Sequence, residues 1–92
     1  MSVPILQRKI TITNPQGLHM RPLAAFVQAA NQFPCDVFVS KHPSQRINGK
    51  SMIHLLGLAA ESGTELLLEV SGPEADKAID VLMDILARHY DD

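Results

Sequence analysis

The sequence predicts an α+β domain of two layers, with amphipathic helices covering one side of a mostly antiparallel sheet. Short stretches alternate apolar and polar residues, as half-buried strands do, and others repeat apolar residues with the helical period. Their order along the chain reads β-α-β-β-α-β-α. With 92 residues, 46% of them apolar and 20% charged, the chain has the balance of one globular domain, spanning 1–92, with a modest core. Only 4% of residues are aromatic, so aliphatic side chains must build most of the interior.

The first strand is expected over Leu6–Thr13, where Ile10 and Ile12 share a face. Asn14-Pro15-Gln16-Gly17 has turn composition. Leu23, Phe26, Val27 and Ala30 then follow the i, i+3, i+4, i+7 spacing of an amphipathic helix, which Asn31-Gln32-Phe33-Pro34 ends. Cys35–Ser40 reads as a strand with Val37 and Val39 inward, and Lys41-His42-Pro43-Ser44 as a turn. Gln45–Asn48 is expected to return as a short strand.

A second helix is expected over Ser51–Ala60, with Met52, Leu55, Leu56 and Ala59 as its apolar stripe and Gly57 as an unfavourable interior residue. Glu65–Val70 alternates Leu66, Leu68 and Val70 against more polar neighbours, as a strand does. Ser71-Gly72-Pro73-Glu74 matches the S-x-x-E capping box, with proline in the first turn. The last helix would bury Ala75, Ala78, Ile79, Leu82 and Leu86.

Charge and motif content exclude several functions. A net charge of −2 with no basic run argues against nucleic acid as a partner. The single Cys35 leaves no internal disulfide or zinc pattern, and reads as a small apolar core residue. His42, His54 and His89 lack metal-ligand spacing, and no glycine-rich nucleotide loop follows a strand. The leading MSVPILQRKI has no long apolar run, and no stretch approaches membrane-spanning length, so the expectation is a cytoplasmic domain without membrane insertion.

The chemistry concentrates in QGLHMRPLAAF, Gln16–Phe26, where a loop becomes a helix. With His19 at the N-cap, the leading amides lack intrahelical partners and carry partial positive charge, which suits an anion. Pro22 fits a first turn, Gly17 permits a close turn, and Arg21 can fork onto anionic oxygens. The same positive field favours the neutral, nucleophilic imidazole, suited to taking up and passing on a phosphoryl group. Against this stands the plainer reading that His19 and Arg21 are polar surface.

GLHMRPLAA, INGKSMIHLLGLAA, and the strand and amphipathic helix after them resemble the HPr phosphocarrier family of the bacterial phosphoenolpyruvate:sugar phosphotransferase system. The resemblance runs from about Gln7 to Arg88. It implies an open-faced β-sandwich, a four-stranded antiparallel sheet with three helices on one side. It also implies a phosphoryl carrier rather than an enzyme, using no cofactor and no metal. His19 would be phosphorylated on Nδ1 by phosphorylated enzyme I and would pass the group to enzyme IIA domains, with Arg21 steadying the phosphate.

Ser51 matches the serine used for regulation in many members, which would add an HPr kinase/phosphorylase and a transcriptional regulator as partners. As a residue, Ser51 is first of all a favoured N-cap. Met20, Met52, Ile53 and Leu56 could form an apolar docking patch around His19, with Met20 and Ile53 the better surface candidates. Monomer is the default state. The chain departs from the family pattern at Met20, at Leu23, at Ala59 and Ala60, and in a longer segment between Val39 and Lys50. The alternative is a regulatory, partner-binding protein of the same fold, serving carbon or nitrogen control.

Overall fold

The computed structural model describes residues 5–41 and 45–89. Its elements are β1 (Ile5–Thr11), α1 (Met20–Ala30), β2 (Asp36–Ser40), β3 (Ile47–Asn48), α2 (Met52–Leu56), β4 (Glu65–Ser71) and α3 (Ala75–Ala87). The four strands form one antiparallel sheet in the order β1-β4-β2-β3, so the expected element order and sheet type both hold. Residues 42–44, assigned to a turn from the sequence, lie outside the described residues.

Alternation decides which face of the sheet is covered. In β4, Leu66, Leu68 and Val70 are fully buried, and Val37 and Val39 of β2 stand opposite Val70 and Leu68 in register. The helices complete this core with Leu23, Phe26 and Ala30 from α1 and Ala78, Ile79, Leu82, Ile85 and Leu86 from α3. Ile85 extends this face beyond the residues that the sequence pattern predicts. Cys35 is buried, and that burial pushes its thiol above the ordinary range.

On the open face, Glu69 stands opposite both Gln7 and Phe38. Gln7 Nε2 donates to Glu69 Oε2 at 3.2 Å, and Arg46 Nε lies 3.4 Å from Glu69 Oε1. The same guanidinium stacks on the Phe38 ring, 4.2 Å from its centroid. A polar ladder thus covers the aromatic ring, and this face does not require a third layer.

Three sequence expectations need correction. The second helix ends at Leu56, capped by Gly57, and does not reach Ala60. Ala59 adopts φ 49° outside any helix, and the burial passes from the expected Leu56 and Ala59 to Leu58 and Ala60. The capping box does not form: Ser71 is drawn into β4, opposite Ile5 on one side and Asp36 on the other. Glu74 becomes the N-cap of α3 in the left-handed region, φ 63°, with no capping bond from its side chain. The first strand stops at Thr11, although Ile12 remains fully buried.

Two loops run side by side at one end of the molecule and carry the candidate site. Ile12 N–H donates to Thr64 O at 2.9 Å, Gly63 N–H to Ile12 O at 2.7 Å, and Leu18 N–H to Ala60 O at 2.8 Å. The segment between β1 and α1 is therefore braced by the segment between α2 and β4.

Candidate functional site

The turn before α1 closes on itself. Gly17 N–H donates to Asn14 O at 2.8 Å, and the buried Asn14 side chain returns the bond through Nδ2 to Gly17 O, also at 2.8 Å. Gly17 sits at φ +70°, and a Cβ there would lie 2.5 Å from Ala60 O and 2.9 Å from Glu61 Cα. Only glycine allows the two loops to approach this closely.

His19 then takes the N-cap position of α1 in extended conformation, with φ −94° and ψ −168°. Its carbonyl accepts the first helical bond, from Leu23 N–H at 3.1 Å, while its ring makes no capping bond. Met20 and Arg21 supply first-turn amides that precede the helical ladder, and Pro22, buried, has none to supply. No acidic side chain occupies that first turn to offset the positive end of the helix. Arg21, in that first turn, is exposed.

The His19 ring is half-buried, with Nε2 withdrawn from solvent. An imidazole nitrogen, two leading amides and an exposed guanidinium share one helix end, a set suited to an anion in covalent exchange with the ring.

Helix α2 packs against α1 and carries the other sequence candidates. Ser51 is its N-cap, and Oγ accepts from His54 N–H at 3.3 Å, so the plain capping role is real. Leu55 turns inward and Met52 is half-buried. Ile53 is 81% exposed, Met20 60% and Leu56 49%, so both helices carry exposed apolar side chains. His54 and His89 are exposed, and His42 lies outside the described residues.

The sequence reading missed the groups that brace this site. Asn14 had a legible signal, as the first residue of an Asn-Pro-Gln-Gly turn. Ala60 had none, since its carbonyl contributes and its side chain does not.

The family model for the "PTS HPr component phosphorylation site" matches residues 6–88. The chain belongs to the HPr family. It is 38% identical over 84 residues to the phosphocarrier protein HPr of Pseudomonas aeruginosa, covering 91% of this chain and 93% of that one. It is also 38% identical over 78 residues to the HPr-like protein Crh of Bacillus subtilis, covering 85% of this chain and 91% of Crh. The crystal structure of HPr from Bacillus anthracis superposes with a TM-score of 0.82 at 30% identity, over 89% of this chain and 96% of that one.

The open-faced sandwich, with its four-stranded antiparallel sheet and three helices, is the HPr fold. HPr proteins carry phosphoryl groups within the phosphotransferase system and are not themselves catalysts of a reaction, and their general partners are enzyme I and enzyme IIA. Among the described residues no helix is long and apolar enough to cross a membrane.

Proposed function

We propose that His19 is the phosphoryl acceptor and that Nδ1 is the reacting atom. The observation that carries this reading is the position of His19: N-cap of α1, directly before the leading amides, with no acid in the first turn. In the forward step the Nδ1 lone pair attacks phosphorus on phosphorylated enzyme I. The bond from phosphorus to the donor atom breaks, and its electron pair stays with the donor. The second step runs the same exchange toward an enzyme IIA domain. A neutral ring with its proton on Nε2 is the competent form, because it leaves the Nδ1 lone pair available to attack.

Arg21 and the amides of Met20 and Arg21 would hold the dianionic phosphoryl group, since opposite charge and oriented N–H dipoles are strongest where charge accumulates. Met20, Met52, Ile53 and Leu56 would provide the docking surface. A carrier must release each partner, and a small apolar patch with two adaptable methionines suits transient binding. Sugar uptake is the process served and the cytoplasm the compartment.

Ser51 is the regulatory candidate. A phosphate there would keep acceptor oxygens at the cap while placing negative charge beside Met52 and Ile53, which would repel acidic partners without unfolding α2. A kinase/phosphorylase and a transcriptional regulator would then be further partners. The match to Crh at 38% identity, beside matches to HPr at 38–40%, supports a second reading in which partner control is the main output.

Incubation with enzyme I and radiolabelled phosphoenolpyruvate tests the first reading. An acid-labile label is expected on the wild type and none on His19→Ala; a fully labelled His19→Ala protein would remove His19 as the acceptor. Arg21→Ala should fold normally and accept the group more slowly. The second reading expects Ser51→Asp to change affinity for a regulator even in a His19→Ala background.

A further inference from the structure

Helix α2 has five residues, too few to hold together alone, and of these only Leu55 is buried. Something else must set the direction in which Ile53 and Leu56 point. The structure supplies it at the far end of α1, away from His19. Asn31, the C-cap of α1, donates through Nδ2 to Val27 O at 2.9 Å and to Lys50 O at 3.1 Å. In return, the part-buried Lys50 Nζ donates to Phe33 O at 2.7 Å.

The turn in between is closed by further bonds. Lys50 N–H donates to Asn48 Oδ1 at 3.0 Å, and Ser51 N–H to Asn48 O at 3.2 Å. Gly49 N–H donates to Val37 O at 2.8 Å, tying the same turn to the sheet. Lys50 directly precedes the N-cap of α2, so the cross-links from α1 fix the residue from which α2 starts.

We infer that Asn31 and Lys50 are positioning residues for partner docking: the bonds from Asn31 to Lys50 O and from Lys50 to Phe33 O hold the start of α2 against the end of α1, and so keep Ile53 and Leu56 on the same surface as Met20 and His19. The inference rests on the reading of α2 as part of the docking surface. Neither residue touches the reacting atoms. The bonds lie near the surface, where water competes for the same groups, so each contributes a modest factor.

The test is the transfer of phosphoryl groups from enzyme I to the full chain, with KM for the carrier and kcat measured separately. Asn31→Ala removes both hydrogen bonds from Nδ2 without changing charge. It is expected to raise KM roughly 2- to 10-fold, the worth of a typical hydrogen bond, and to leave kcat within about twofold. Lys50→Met should do the same, and Lys50→Arg should recover part of the loss. Amide hydrogen exchange should quicken in α2 of Asn31→Ala and stay unchanged in β4, which global destabilisation would not produce.

Ile53→Ser is the reference variant, because its side chain is exposed and its loss leaves the core intact. If Ile53→Ser raises KM while Asn31→Ala and Lys50→Met match the wild type, the positioning role is wrong and the docking reading stands. If Ile53→Ser leaves KM unchanged, the docking reading fails and the positioning role falls with it. A drop in kcat at constant KM for Asn31→Ala would also overturn the inference, since it would place the effect at His19.

Discussion

Gly17→Ala is the substitution on which the bracing of the site depends most directly. Two costs apply. The left-handed φ of +70° costs an alanine about 1–2 kcal/mol. The new Cβ would also stand 2.5 Å from Ala60 O and 2.9 Å from Glu61 Cα, and both are backbone atoms that no rotamer change can move aside. Overpacking of this kind costs roughly 1–3 kcal/mol. Separating the loops would additionally strain the 2.8 Å bond from Leu18 N–H to Ala60 O, worth about 0.5–1.5 kcal/mol. The expected loss is about 2.5–6.5 kcal/mol.

Gly63→Ala provides the control, since Gly63 also has a positive φ, +92°, but a Cβ there meets nothing within 4 Å. It should cost only the backbone part, about 1–2 kcal/mol. The reduction in unfolded-chain freedom is common to both variants and cancels in the difference. Urea denaturation should therefore place Gly17→Ala at least ~1.5 kcal/mol below Gly63→Ala, on the sum of the overpacking and hydrogen-bond terms. At a temperature where both are folded, only Gly17→Ala should slow phosphorylation of His19. Equal losses of stability, or equal rates, would show that the contact with Ala60 does not position the loop.

Strain at non-glycine residues gives the opposite sign. Ala59 at φ 49° and Glu74 at φ 63° should each gain about 0.5–1 kcal/mol when replaced by glycine, read as a higher urea midpoint with the slope unchanged. Ser51→Ala removes the cap bond to His54 N–H; at 3.3 Å that bond is long, so the loss should be near ~0.5 kcal/mol, measured as a small drop in melting temperature. Cys35 should resist a thiol reagent until the chain unfolds. Burial raises its folded titration above the unfolded one, so its stabilising contribution is complete below the ordinary thiol range and lost as pH rises through the folded value. The decline with pH should be shallower in Cys35→Ala, and identical slopes would refute the argument.

Much of the site was legible because its signals are local. The turn at Asn14–Gly17, the helix start after His19 and the inward stripe of Leu23, Phe26 and Ala30 each depend on neighbours within a few residues, and all three appear where the chain suggests. The same holds for Leu66, Leu68 and Val70, since alternation along a strand assigns a face before its partners are known.

The misreadings arose where a distant segment outweighed a local preference. Ser71 has the composition of a helix cap, yet β1 and β2 both pair with it, and ladder bonds on two sides hold its backbone extended. The stripe Met52, Leu55, Leu56, Ala59 has helical spacing, but the loop before α1 needs the carbonyl of Ala60, so the chain leaves the helix at Gly57. Leu56 is then left on the surface, and Leu58 and Ala60 go inside.

The amino-acid order alone therefore settled the core faces, the succession of elements and the placing of an imidazole at the head of a helix. Those follow from side-chain period and from backbone groups a few bonds away. Tertiary structure alone decided which loop braces that imidazole, where α2 stops, and that Asn31 and Lys50 join α1 to the start of α2. These contacts use backbone carbonyls, which every residue carries, so the side-chain pattern holds no trace of them until the chain has folded.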